Sequence, residues 1–195
     1  REEALPMKLG VIGLGVGVLA AYADAGDSIR IYEINSQVED IARTHFSYLE
    51  ECQGEETVVL GDARITLEQE LATGDNQEFD ALFVDAFSGD SIPVHLMTRE
   101  AFELYFQHLK EDGVLAVHIT NRHLDLSDPV RQLVADMGKE TLLVVDDPEN
   151  WEGKYSEWVL IANNRDLLDK IEADDWHTPW YTDAPREVRW TDGYS

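Results

Sequence analysis

Apolar runs and helical patterns alternate along the chain. Lys8–Ile12 (KLGVI) reads as a buried strand, and Val16–Ala25 as a helix. Ser28–Glu33 (SIRIYE) is a second strand, and Ser36–Tyr48 a helix with Val38, Ile41, Ala42 and Phe46 on its apolar face. Thr57–Leu60 predicts a third strand, followed by a short helix near Ile65–Leu71. Phe79–Val84 (FDALFV) is a fourth strand, without a polar residue after Asp80. Thr98–Leu109 predicts a helix: Thr98 suits the N-cap, and Glu100 and Glu103 lie early, where the helix dipole favours acids. The turn Glu111-Asp112-Gly113 introduces a fifth strand, Val114–Ile119. Pro129–Met137 is a helix with Asp128 before it, and Thr141–Val145 and Trp158–Ala162 are the last strands.

This alternation predicts an α/β fold, a mostly parallel sheet with helices on both faces, in which right-handed crossovers are expected. Near-continuous apolar strands fit a parallel sheet, which is buried on both sides. After about Glu172 the pattern breaks into a stretch rich in Trp, Pro and Asp (Trp176, Pro179, Trp180, Pro185, Trp190). We expect one domain over residues 1–171 and an aromatic tail over 172–195 that packs on that domain or on a partner.

Composition narrows the possible partners. The 195 residues suit a single core. Forty acidic against fifteen basic residues give a net charge of −25, a field that repels nucleic acid and anionic lipid and attracts small cations. The same excess also serves solubility, and with ten Arg to five Lys it suits a salty cytoplasm. The apolar stretch Val11–Ala23 is too short and too Gly-rich to span a bilayer, which predicts a soluble chain without direct membrane insertion. No basic n-region precedes it, so no signal peptide is read. Position 1 is Arg, which reads as a piece of a longer protein. The one cysteine, Cys52, excludes an internal disulfide framework and a Cys-based zinc site, and fits a reducing compartment, the cytoplasm.

The candidate chemistry lies at the strand ends. The first strand runs into Gly10-Val-Ile-Gly13-Leu-Gly15-Val-Gly17. A tight strand-to-helix turn without Cβ atoms lets a ligand reach free backbone N–H groups. The spacing is GxGxG, with Val18 where a dinucleotide fingerprint has Gly or Ala, so the turn alone leaves packing and nucleoside binding both open. Glu33 ends the second strand, where a carboxylate can accept from both hydroxyls of a ribose. Gly61-Asp62 follows the third, where a carboxylate can accept from the amine of a base. Asp85 ends the fourth and most apolar strand, a costly place for a carboxylate unless it faces a ligand crevice. Open α/β sheets bind ligands along this edge. Other sets are weaker. Ser88-Gly89 lacks GxSxG, His118 and His123 have poor metal spacing, and Asp146-Asp147-Pro-Glu149 reads as a solvated turn flanked by Trp151 and Tyr155.

Gly13–Gly17, Glu33, Gly61-Asp62 and Asp85 resemble the signature of class I S-adenosylmethionine-dependent transferases. More narrowly, LGVIGLGVGVLAAY, the stretch Val84-Asp85-Ala-Phe-Ser-Gly-Asp90-Ser-Ile-Pro93 and the tail Trp190-Thr-Asp-Gly-Tyr-Ser195 make nearly the whole chain resemble the spermidine synthase (polyamine aminopropyltransferase) family, in particular its domains fused behind membrane-spanning segments. The resemblance implies a three-layer, Rossmann-like sandwich whose sheet has about seven strands, one late strand reversed. It implies S-adenosylmethionine or its decarboxylated form as co-substrate and no metal, with Gly13, Gly15, Gly17, Glu33, Asp62 and Ala63 on the nucleoside. It further implies a small cationic amine as acceptor, Asp85 as base and Asp90 as a second acid for the amine. Fusion to a membrane domain, or a homodimer through the aromatic tail, is expected as well. Two departures keep other readings open. Val16 stands where aminopropyltransferases carry an Asp for the cofactor amine, and only seven residues precede the first strand, where that family has a β-rich segment. A methyltransferase, or a non-catalytic nucleoside- or polyamine-sensing module, fits the same pocket.

Overall fold

The computed structural model of the chain describes residues 5–86, 93–121, 124–146, 155–173, 178–180 and 190–193. Its strands form one seven-stranded sheet in the order β3-β2-β1-β4-β5-β7-β6. These are β1 (Lys8–Ile12), β2 (Ser28–Glu33), β3 (Glu55–Leu60), β4 (Phe79–Val84), β5 (Leu109–His118), β6 (Glu140–Asp146) and β7 (Ser156–Ala162). The described helices are α1 (Ser36–His45), α2 (Ala63–Ala72), α3 (Arg99–Gln107), α4 (Ser127–Ala135) and α5 (Asp166–Ala173). The chain divides into two compact units, residues 1–86 with 104–110, and residues 87–103 with 111–195.

In the first unit β1 pairs in parallel with β2 and β4, and β2 with β3. The buried run of β1 reflects this, since both its faces are covered. Leu9, Val11, Leu14, Ala20, Ala23, Ile29, Ile31, Ala42 and Leu49 form one core cluster. Each large aliphatic side chain buried there contributes about 1.5–3 kcal/mol. The exposed α1 pair Arg43–Glu39 contributes about 0.3–0.5 kcal/mol, so packing, not surface charge, decides this half. Asn35 caps α1 by accepting from the Gln37 N–H, and the chain turns from β2 into α1 without a loop of its own.

In the second unit β7 runs antiparallel to both β5 and β6, with Val117 opposite Val159 and Leu143 opposite Val159 on the other side. The connection from Asp146 to Ser156 is shorter than the dozen or more residues a parallel crossover needs, so the late strand reverses. Val114, Leu142, Ala162 and Leu168 pack together beneath α5. Described pieces of the tail attach to this unit. The Thr178 N–H donates to Leu143 O on the edge strand β6, and Trp180 lies under the Arg131 guanidinium. Trp190 O accepts from the Arg99 N–H, and Asp192 accepts from the Thr98 hydroxyl, whose oxygen in turn accepts from the Ala101 N–H as the N-cap of α3.

Three elements differ from the sequence expectation. In place of a helix over Val16–Ala25, a short 3₁₀ segment covers Val18–Tyr22. Gly17 enters it in a left-handed conformation without a side-chain cap. Asp27 draws the chain out again, its carboxylate accepting from the Asp24 and Met7 N–H groups. β5 begins at Leu109, through the expected turn Glu111-Asp112-Gly113, because the preceding His108 carbonyl accepts from the Phe79 N–H and Lys110 pairs with Asp80, 2.6 Å away. The helix α5 was not expected. Asn164 caps it by accepting from the Asp166 N–H, and its apolar face buries Leu168.

Candidate functional site

The expected strand-end residues from Gly13 to Asp85 all belong to the first unit. The loop after β1 holds Gly13, Gly15 and Gly17 at positive φ. Gly13 donates its N–H to Tyr32 O at 2.9 Å, and a Cβ there would lie 2.4 Å from the Asp85 carbonyl oxygen. Glycine is therefore what lets the β1 and β4 loops close on each other. Among the described residues, a Cβ on Gly15 would meet nothing within 4 Å. That glycine leaves open space beside the backbone, the cradle that a ligand approaching the loop requires.

Glu33 is buried at the end of β2. Its Oε2 accepts from the Leu14 N–H at 3.0 Å and its Oε1 from the Asn35 N–H at 2.8 Å. One oxygen is thus tied to the glycine loop and the other to the cap of α1. Each retains a second lone pair, so the carboxylate can still accept from two hydroxyls. Its main-chain carbonyl accepts from the N–H of Gly61, which has φ 146 after β3. Asp62 follows as the N-cap of α2, accepting from the Ile65 N–H at 3.0 Å. The first helical residue, Ala63, is buried beside it. Asp85 is half-buried, and its N–H donates to Ile12 O. Asp90, Ser88-Gly89, His123, Asp147, Glu149, Trp151, Trp176 and Pro185 lie outside the described residues.

Sequence reasoning missed the apolar rim. Ile34, between Glu33 and the cap Asn35, is 72% exposed. Leu60, opposite Glu33 in the β2–β3 register, and Ile65 in the first turn of α2 are each more than half exposed. Exposed aliphatics next to an acid are a surface on which the flat face of a base can pack. The available signal was an isoleucine directly after the strand's acid, where a loop calls for a polar residue.

His118, at the end of β5 in the second unit, stacks on Trp158 with ring centroids 4.6 Å apart, and its Nε2 lies 2.6 Å from Thr120 Oγ1. Among the described residues no cluster of three His, Cys, Asp or Glu could hold a metal ion. No described helix is long and apolar enough to cross a membrane.

This strand order, with its reversed β7, defines a class I methyltransferase-like α/β domain. In sequence the chain is similar to the polyamine aminopropyltransferase of Vibrio vulnificus, 35% identical over 116 residues, covering 58% of this chain and 38% of that protein. It is also 31% identical over 109 residues to the N-terminal histidine N-methyltransferase of Emericella nidulans, covering 55% of this chain and 19% of that one. The chain thus spans well under half the length of the curated relatives it matches. No family model matches it. Among solved structures, human methyltransferase-like protein 13 in complex with SAH superposes with a TM-score of 0.66 at 19% identity, over 92% of this chain and 86% of that one. Spermidine synthase from Thermotoga maritima does so with 0.63 at 15% identity, over 94% and 62%. At such identities the structures establish the fold. Both curated relatives are transferases by name.

Proposed function

We propose that the chain is the nucleoside-binding domain of a spermidine synthase-like transferase. It takes S-adenosylmethionine or its decarboxylated form as co-substrate, and from the decarboxylated form it passes an aminopropyl group to a small cationic amine. The observation that carries the reading is the buried Glu33 carboxylate, anchored by backbone N–H groups on both oxygens beside the open Gly15 cradle. It offers two remaining acceptor sites for a ribose, with Gly13, Gly17, Asp62 and Ala63 around the rest of the nucleoside. The sequence relationship to a polyamine aminopropyltransferase supports the same reading.

In this mechanism the acceptor nitrogen attacks the carbon next to the sulfonium in line. A C–N bond forms, the C–S bond breaks, and its electron pair returns to sulfur to leave a thioether. Asp85 orients the amine and accepts the proton it sheds. Asp90 is assigned to hold the amine chain. Residues 1–171 form the catalytic domain and 172–195 pack on it as a tail.

Methyl transfer is the second reading. Val16 leaves the glycine loop without an acid for a cofactor amine, and one relative is an N-methyltransferase. Calorimetry with S-adenosylmethionine, its decarboxylated form, S-adenosylhomocysteine and methylthioadenosine, followed by product detection with each co-substrate and an amine, tests both. Formation of methylthioadenosine from the decarboxylated form supports aminopropyl transfer, and formation of S-adenosylhomocysteine from S-adenosylmethionine supports methyl transfer. Binding of none of the four overturns the proposal.

A further inference from the structure

Next to the strand-end residues of the first unit lies a polar network that the mechanism does not use, with Tyr32 and Glu70 buried and Arg30 half-buried. Tyr32 is 1% exposed. Its hydroxyl donates to Glu70 Oε2 at 2.8 Å, while Arg30 reaches Glu70 Oε1 through Nη2 at 2.5 Å and through Nε at 3.1 Å. The Arg30 Nε–H also donates to the Tyr32 hydroxyl oxygen at 3.2 Å, and its guanidinium carbon sits 5.6 Å from the Tyr32 ring centroid. Burial and the adjoining Glu70 carboxylate push the Tyr32 hydroxyl well above the usual tyrosine range, so it stays a donor. Arg30 and Tyr32 are two apart on β2 and share a face, and Glu70 belongs to α2.

The placement of this network matters more than its energy. A partly buried ion pair is a weak stabiliser, since desolvation and solvent screening offset most of its attraction and an apolar trio of similar volume fills the same space. What apolar packing cannot supply is direction. Tyr32 carries three of the candidate contacts at once. Its carbonyl accepts from the Gly13 N–H, its chain neighbour is Glu33, and its hydroxyl grips the helix whose N-cap is Asp62.

We infer that Arg30, Tyr32 and Glu70 are positioning residues: their hydrogen-bonded clamp sets α2 against β2 and so fixes Asp62 and Ile65, on the base side of the site, relative to Glu33 on the ribose side. The inference rests on the nucleoside reading above. A clamp of this kind governs the discrimination between bases more than the attachment of the sugar.

The test uses calorimetry with methylthioadenosine and with its inosine analogue, in which the exocyclic amine is replaced by a carbonyl. Wild type is compared with Tyr32→Phe, with Glu70→Gln and with the apolar trio Arg30→Met, Tyr32→Phe and Glu70→Leu. The trio is expected to unfold within a few degrees of wild type and yet bind methylthioadenosine at least tenfold more weakly, with the adenine-to-hypoxanthine preference reduced at least threefold. If the trio does not fold, Tyr32→Phe, which removes one hydroxyl, is read instead, and the same threefold loss of preference at unchanged Tm is expected. A folded variant with wild-type affinity and preference overturns the clamp while leaving the nucleoside reading intact. A wild-type protein that binds neither compound overturns both.

Discussion

Two glycines two residues apart face opposite constraints. At Gly13 an alanine methyl would fall 2.4 Å from the Asp85 carbonyl oxygen in a backbone with φ 100, so one of the two loops must move. Gly13→Ala is expected to lose about 3 kcal/mol in urea unfolding, strain and clash together. At Gly15, φ is 54 and a methyl meets no described residue within 4 Å. Gly15→Ala is expected to cost about 1 kcal/mol in stability, yet to weaken nucleoside binding tenfold or more by calorimetry, because the methyl enters the cradle. Asp85 is argued on the same scale. Asp85→Asn keeps the side chain's shape and is expected to leave Tm within a few degrees of wild type. It should lower turnover about 10²–10⁴-fold by removing the proton acceptor, measured in a single-turnover assay. Wild-type turnover in Asp85→Asn would remove Asp85 from the mechanism. Glu33, Asp62 and Asp85 stood out in the sequence as charges at or just after the end of an apolar strand. The open side of Gly15 did not, because Gly13, Gly15 and Gly17 read alike until the neighbouring backbone is placed.

At the scale of elements, α2 is held at several points. Asp62 caps its start, Glu70 ties it to β2, and its Leu67 carbonyl accepts from the buried His108 Nε2–H at 3.0 Å. The other ring nitrogen, Nδ1, accepts from the Gln77 N–H at 3.1 Å. Accepting at Nδ1 requires a neutral ring with its proton on Nε2, and burial holds the His108 pKa below the usual imidazole range. The unfolded chain takes up its proton near pH 6.5, whereas the folded ring resists protonation to lower pH. The stability that depends on the neutral ring is therefore complete above that value and falls as the pH drops below it, by at most about 1.4 kcal/mol per pH unit for one proton. In an NMR titration from pH 8 to 5 the His108 ring resonances should stay at their neutral positions while exposed histidines shift. A midpoint at or above 6.5 for His108 would contradict this. The strands were legible because buried parallel strands read as unbroken apolar runs, as in FDALFV. The first helix was misread because its apolar residues match a helical period, while the Asp24–Asp27 turn that cuts it short depends on Asp27 reaching the distant Met7 N–H. α5 was missed for a related reason: its apolar face gains meaning only when Leu168 has Leu142 and Val114 to pack on.

For the molecule as a whole, the charge of −25 sets the long-range field. Under the proposed function, the polyamine acceptor would be drawn by that field, and at 0.15 M salt the attraction is screened beyond about 8 Å. Raising sodium chloride from 50 to 500 mM is expected to increase the KM for a polyamine severalfold with little change in kcat, in a steady-state assay. A KM indifferent to salt would mean that the acceptor does not sense the field. The α/β class, the number of strands, the strand ends that carry the acids and the sign of the charge are readable from the amino acids alone. They follow from local periodicity and composition, which each segment carries on its own. Packing in three dimensions is needed to tell which glycine is pressed against backbone and which has open space beside it, to anchor both oxygens of Glu33, and to bring Arg30, Tyr32 and Glu70 together. Those facts join residues up to 72 positions apart, such as Gly13 and Asp85, and no local pattern encodes the distance between atoms brought together by the packing of separate strands and helices.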